Sequence, residues 1–245
     1  MCCNIKIMKQ ISAIFLFSSW VFCLISLSSC LNLSPLESVA LKSRLEEIKS
    51  GIKEKYSDLR SAKELDTFIF PGAGGIDELV LELQQVTSKS KIIDWKDNRG
   101  SILTAAYDGE AVGEALAELV GADRNVHFIG ISVGAFCANA AATTTYNTNK
   151  DSKTSVRLTL LDPFCGRGLF GPNYGRDNFG KYATTAIQIM NTDDPVPTTN
   201  DPLPNCYCID VTNAPQRETF EPLPGDSMHS WPCKFRLSSF DIPTE

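Results

Sequence analysis

Histidine is almost absent from this chain: there are two in 245 residues, His127 and His229. That scarcity excludes multi-histidine metal centres, and any reaction needing an imidazole base has two places to find one. Excess basic charge is missing as well. The 23 Lys and Arg are outnumbered by 29 Asp and Glu, for a net charge of −6. No basic stripe or aromatic-interleaved Lys/Arg cluster occurs, which argues against a nucleic-acid binder. Internal repeats and low-complexity stretches are lacking too. What remains is a chain of ordinary hydrophobic content, 43%, long enough for one α/β domain with little room for a second.

The N-terminus has a different composition. Lys6 and Lys9 form a short positive flank, an apolar run extends from Ile11 to about Leu27, and Leu27-Ser28-Ser29-Cys30 follows. A basic flank, an apolar stretch and small residues make an export signal. An uncleaved single-span anchor or a plain secretory signal are the alternatives, and all three place the body of the chain outside the cytoplasm. The tetrapeptide resembles the lipobox of bacterial lipoproteins. That resemblance implies removal of residues 1–29, a diacylglycerol on Cys30 and a membrane-anchored protein of the cell envelope. Residues 1–29 carry two lysines and no acid, so the remainder is more acidic still, and a lipid rather than charge would hold it to an anionic bilayer.

Five cysteines then remain: Cys137, Cys165, Cys206, Cys208 and Cys233. Outside the cytoplasm some can pair, in a connectivity that sequence does not give. Cys206-x-Cys208 suggests a metal site only faintly, because further ligands are scarce. No metal and no cofactor is expected.

Between Leu33 and about Leu65, apolar residues recur at helical spacing (Leu36, Val39, Leu41, Leu45, Ile48, Ile52). This predicts an amphipathic helix, as tether or as packing over the domain edge, ahead of a folded domain over 66–245. From Thr67 onward short apolar runs alternate with helical patterns. Strands are predicted at 67–70, 91–95, 125–129, 156–161, 184–190 and 206–211, with helices over 76–86, 101–120 and 134–144. This rhythm means an α/β fold, a mostly parallel central sheet flanked by helices on both faces, with the chemistry at the carboxyl ends of the strands.

The most specific motif is Gly130-Ile131-Ser132-Val133-Gly134, a G-x-S-x-G placed directly after one predicted strand and before one predicted helix. A sharp turn there would strain the serine, lift its Oγ clear of the backbone and require small neighbours. The alternative is a glycine-rich turn with a capping serine. Together with Val126-His127-Phe128-Ile129 before it and Ala135 after it, the motif resembles the nucleophile elbow of pancreatic-type lipases in the α/β-hydrolase superfamily. Ile93-Asp94-Trp95 and Leu161-Asp162-Pro163 resemble that group too, and Phe70-Pro71-Gly72-Ala73-Gly74-Gly75 resembles the oxyanion loop of lipases and thioesterases. The resemblance covers roughly residues 66–235. No N-terminal strand pair is evident, so it implies a trimmed version of the fold.

A serine hydroxyl needs a base. His127 lies inside a strand and reads as structural. His229, in Gly225-Asp226-Ser227-Met228-His229, follows the last strand, where the superfamily carries its catalytic histidine, and the order Ser, Asp, His also matches. The acid is taken as Asp194, in the loop after the fifth strand. Asp162, after the fourth strand in the position resembling pancreatic-type lipases, and Asp193 are the alternatives. The amides of Val133 and Ala73 are the expected oxyanion donors. The loop from Pro163 to Ala183, with Phe164, Phe170, Tyr174 and Phe179, is expected either to wall an acyl pocket or to pack over the sheet edge.

The expected activity is hydrolysis of a small-molecule or lipid ester, or a thioester, through an acyl-Ser132 intermediate. An acyltransferase with the same triad, or a non-catalytic surface-anchored ligand-binding protein keeping the fold, are the alternatives.

Overall fold

The structure, a computed structural model, describes residues 35–101, 104–149, 154–168 and 171–238. The N-terminal segment expected to direct export, Cys30 and Phe170 lie outside the described residues. Among the described residues no helix is long and apolar enough to cross a membrane.

Contacts divide the chain into Met1–Arg44 and Leu45–Glu245. The described part of the first unit is the beginning of helix α1 (Pro35–Lys55). The second unit starts well before the residue-66 boundary expected for the domain. In the second half of α1, Ile48 and Ile52 are buried, followed by Tyr56 and Leu59. Lys49 and Lys53 pair with Glu114 and Glu118. The expected amphipathic stripe therefore packs into the core from Leu45 onward.

Six strands form one sheet among the described residues: β1 (Thr67–Phe70), β2 (Ser90–Ile92), β3 (Val126–Ile131), β4 (Val156–Leu161), β5 (Thr185–Met190) and β6 (Tyr207–Asp210). Their order is β2-β1-β3-β4-β5-β6, and every neighbouring pair is parallel. The helices are α2 (Glu78–Val86), α3 (Ala105–Val120), α4 (Gly134–Thr148), the short α5 (Tyr174–Asn178) and α6 (Trp231–Ser238). The α/β architecture expected from the alternating pattern is the one the chain adopts.

Successive strand residues face opposite sides, so both faces need cover. On one side Phe68, Phe70, Phe128, Leu158 and Leu160 pack with α1, α3 and α4. On the other Ile69, Ile129 and Ile189 pack with Leu79 and Leu83 of α2 and Trp231 of α6. The chain leaves β1 through α2 on this second side and leaves β2 through α3 on the first. The direction of winding thus reverses between β1 and β3, the place where open parallel sheets form a crevice.

Most boundaries shift by one or two residues, and the largest losses are at the end of β2 and the start of α3. β2 ends at Ile92, and Trp95 turns away to donate its indole N–H to Pro71 O at 2.9 Å. α3 starts at Ala105, because Ser101 and Thr104 form a turn in which Ser101 N–H donates to Thr104 Oγ1 at 3.1 Å.

Candidate functional site

The register of the sheet brings separate segments to one edge. Ile131 of β3 lies beside Leu161 of β4, and Leu161 beside Ile189 of β5. The residues that follow therefore emerge side by side: Ser132 N–H donates to Leu161 O at 3.0 Å, and Asp162 N–H to Ile189 O at 2.8 Å. Both leave their strands in a left-handed conformation, Ser132 with φ 52° and Asp162 with φ 45°. Such backbone costs of order 1–3 kcal/mol for a non-glycine residue and persists only where its surroundings enforce it.

The enforcement at Ser132 is visible. A Cβ on Gly130 would lie 2.7 Å from Ala135 Cα, and one on Gly134 would run into the carbonyl oxygens of Phe70 and Pro71. The G-x-S-x-G spacing is thus a steric requirement of a turn that brings α4 directly over the end of β1. Ser132 O accepts N–H bonds from Ala135 and Phe164, each at 3.1 Å, which ties the turn to the start of α4 and to the segment after β4. Val133 is the residue immediately before α4, where helix N–H groups have no intrahelical partner, and its side chain is buried.

Ser132 lines a cavity of about 500 Å³ at the crevice, together with Gly72, Ala73, Val196, Leu223 and His229. His229 sits in a 3₁₀ turn (Met228–Ser230) capped by Ser227, whose Oγ accepts from His229 N–H at 3.2 Å. Its Nδ1 is hydrogen-bonded to Asp162 Oδ2 at 2.8 Å, while Asp194 Oδ1 stands 3.6 Å from the same nitrogen. The other ring nitrogen, Nε2, is buried and has no hydrogen-bond partner.

Each carboxylate has its own support. Asp162 Oδ1 accepts the Asn191 N–H at 2.9 Å, and the Asn191 amide donates to Met228 O at 3.1 Å, which joins the acid to the histidine turn. Asp194 accepts from Val196 N–H at 2.7 Å and from Thr199 Oγ1 at 3.0 Å. Asp193 points elsewhere and pairs with Arg217 at 2.6 Å. Of the three acids considered from sequence, two therefore reach His229. Asp162 stands nearer than Asp194, the residue placed first from sequence.

The electrostatics follow from this arrangement. Burial opposes charge on His229, but the two carboxylates outweigh it and raise its pKa from 6.5 to about 9. Burial pushes the Asp162 carboxyl upward, against the hydrogen bonds from His229 and Asn191. Asp194 is also penalised by burial, yet its hydrogen bonds hold it below the usual carboxylate range. His127 is different. It is buried with Nε2 2.8 Å from Thr159 Oγ1, and burial, aided by Arg157 and Arg236, lowers its pKa to about 3. It stays neutral within the sheet, apart from the cavity.

Asp162, Asp194 and His229 are also the one group among the described residues whose ligand atoms all lie within 4.8 Å of one another. Both carboxylates face the same ring nitrogen, Nδ1, which is already bonded to Asp162. Cys137, Cys165, Cys206, Cys208 and Cys233 are free thiols. Of the two arrangements expected for the loop after β4, the described residues show packing. Tyr174 stacks on Phe136 of α4 and Phe179 meets the same ring edge-on, and no described residue of this loop lines the Ser132 cavity.

Sequence reasoning missed Asn191, whose two bonds link acid and histidine. It also missed Arg99, which donates to Gly72 O at 2.9 Å. Neither falls in a motif; Asn191 ends a predicted strand, the one local signal it carries. Comparison of the chain with family models, with curated proteins and with solved structures finds no match.

Proposed function

We propose that this protein is a serine hydrolase of the α/β-hydrolase type, cleaving carboxylic esters or thioesters through an acyl-Ser132 intermediate. The observation that carries the reading is the pairing of a strained serine with a carboxylate-bound histidine in one cavity. Ser132 has φ 52°, His229 lines the same cavity, and the Nδ1 of that histidine is held by Asp162 while Nε2 is unpartnered. Support also comes from the all-parallel sheet, which is compatible with that superfamily, and from the position of the site at its winding reversal.

In this mechanism His229 Nε2 takes the Ser132 Oγ proton as the oxygen attacks the acyl carbon. The amides of Val133 and Ala73 receive the developing oxyanion. His229 then returns the proton to the leaving group, and water repeats the sequence on the acyl-enzyme. Asp162 orients the imidazole and, with Asp194, stabilises its charged form. The cavity wall formed by Leu79, Val80, Ile131, Val196 and Leu223 suits an apolar acyl group. In the same reading the chain is exported and held to the envelope membrane through a diacylglyceryl Cys30, where lipid esters are at hand.

The test is hydrolysis of p-nitrophenyl esters from acetate to palmitate by the full chain in detergent, with Ser132→Ala and His229→Ala beside it. Activity abolished by both substitutions upholds the reading. A folded parent that is inert on every ester but binds lipid favours the binding-protein alternative, and acyl transfer to added alcohols identifies an acyltransferase. Loss of radiolabelled palmitate incorporation in Cys30→Ala tests the anchor.

A further inference from the structure

The loop after β1 is gripped from behind. Trp95 donates its indole N–H to Pro71 O at 2.9 Å, and Arg99 donates a guanidinium N–H to Gly72 O, also at 2.9 Å. Gly75 N–H adds a third bond, to the same Gly72 O at 3.1 Å. Both side chains belong to the segment after β2, next to the turn Lys96–Asn98. The gripped backbone lies against the serine, since a Cβ on Gly72 would meet Ser132 Cβ and Ile131 O, each at 3.1 Å. Ala73 lines the Ser132 cavity, whereas Arg99 and Trp95 do not.

We propose that Arg99 is the positioning residue of the oxyanion site, acting through the Gly72–Ala73 peptide. The inference rests on the hydrolase reading above. A trans peptide is planar, with its C=O and N–H pointing in opposite directions, and no peptide here is cis. Anchoring Gly72 O on a guanidinium on the far side therefore aims the Ala73 N–H away from Arg99, toward the cavity. Without that anchor the Gly72 oxygen keeps the bond from Gly75 N–H alone, a bond within a turn whose own glycines, Gly72, Gly74 and Gly75, let the peptide plane rotate and turn a carbonyl toward the serine. The charge adds a second effect. A carbonyl accepting a bond from a cation is polarised, and the N–H of the same amide becomes a stronger donor. The demand for that donor is greatest in the transition state, so the effect falls on kcat rather than on substrate binding.

The experiment compares the full-chain parent with Arg99→Lys and Arg99→Met, measuring kcat and KM on p-nitrophenyl butyrate, the Ki of a trifluoromethyl ketone, and the melting temperature. Removing an oxyanion donor outright typically costs about 10²–10³ in kcat. Arg99→Met, which misaligns one donor, is expected to lose about 10–10² in kcat with KM nearly unchanged. The Ki of the ketone, which forms a tetrahedral oxyanion on the serine, rises in step. Arg99→Lys, with one charged donor retained, recovers most of the loss. Should Arg99→Met fail to fold, Arg99→Gln, which keeps a donor without the charge, carries the same measurements and is expected to fall between parent and that loss. An active parent with unimpaired Arg99→Met or Arg99→Gln overturns this inference alone. So does a kcat loss that tracks the melting temperature and is not relieved by lysine. A parent inert on every ester overturns the hydrolase reading and this inference with it.

Discussion

Nδ1 of His229 lies 2.8 Å from Oδ2 of Asp162, a side chain that is almost fully buried and directly follows β4, the neighbour of the strand that leads into Ser132. Asp194 Oδ1 is farther from that nitrogen, at 3.6 Å, and both its oxygens are engaged within its own loop. The two carboxylates are therefore not equivalent. In the proposed mechanism Asp162→Asn is expected to lower kcat by about 10²–10⁴, because the imidazole loses the partner that sets its tautomer. Asp194→Asn is expected to cost about tenfold or less, since a longer contact contributes charge rather than orientation. Steady-state kcat for the two variants, each at its own optimum pH, decides the order.

The pH dependence follows from the same cluster. A base must be unprotonated, and the pKa of His229 is raised from 6.5 to about 9. The kcat/KM for a neutral ester is thus expected to climb through neutrality, to stand at half its maximum near pH 9 and to level off only above that. Asp194→Asn removes one of the charges that raise it, so its rising limb moves to lower pH. A pH profile with the parent limb already complete at pH 6.5 contradicts this picture.

His127 gives a stability prediction of opposite sense. Its pKa falls from 6.5 to about 3 in the folded state. Below pH 6.5 the unfolded chain takes up a proton that the folded chain refuses, so stability is lost as pH falls from 6.5 toward 3. In His127→Gln, which keeps a polar partner for Thr159, the melting temperature is expected to fall less steeply across that range.

The turn glycines should be unequal. Gly134→Ala drives a methyl into two main-chain carbonyls, while a Cβ on Gly74 meets nothing within 4 Å. Overpacking against rigid backbone leads to an expected loss of about 3 kcal/mol or more for Gly134→Ala. Gly74→Ala should stay within about 0.5 kcal/mol. Denaturant melts of the two variants check the contrast.

Asp162, Asp194 and His229 also form a donor set. In the proposed mechanism they work through the Nδ1 hydrogen bond, so a chelator is expected to leave ester hydrolysis unchanged. Activity lost on dialysis against a chelator and restored by zinc would assign the cluster to metal instead.

What could be read along the chain was what neighbouring residues decide. The segment from Val126 to Thr148 is strand, turn and helix in direct succession, and its turn is dictated by the steric needs of Gly130 and Gly134, so G-x-S-x-G announced it. The apolar runs of β1, β3, β4 and β5 and the parallel sheet were legible for the same reason: strands covered on both faces are apolar at nearly every position. The choice among acids was not. Asp162, Asp194 and His229 sit on three loops separated by 32 and 35 positions. Which carboxylate reaches Nδ1 depends on strand register, on the left-handed turn at Asp162, and on Asn191 tying that acid to Met228. The grip of Arg99 and Trp95 on the loop after β1 was hidden likewise, because β2 and β1 become neighbours only once the sheet is assembled. Sequence alone determined the strands, the longer helices and the strained serine, which depend on contiguous residues, while the short helices α5 and α6 carried no such signal. Tertiary structure alone decided the partners of His229 and of Gly72, because those bonds join segments that only the packed sheet brings within 3 Å.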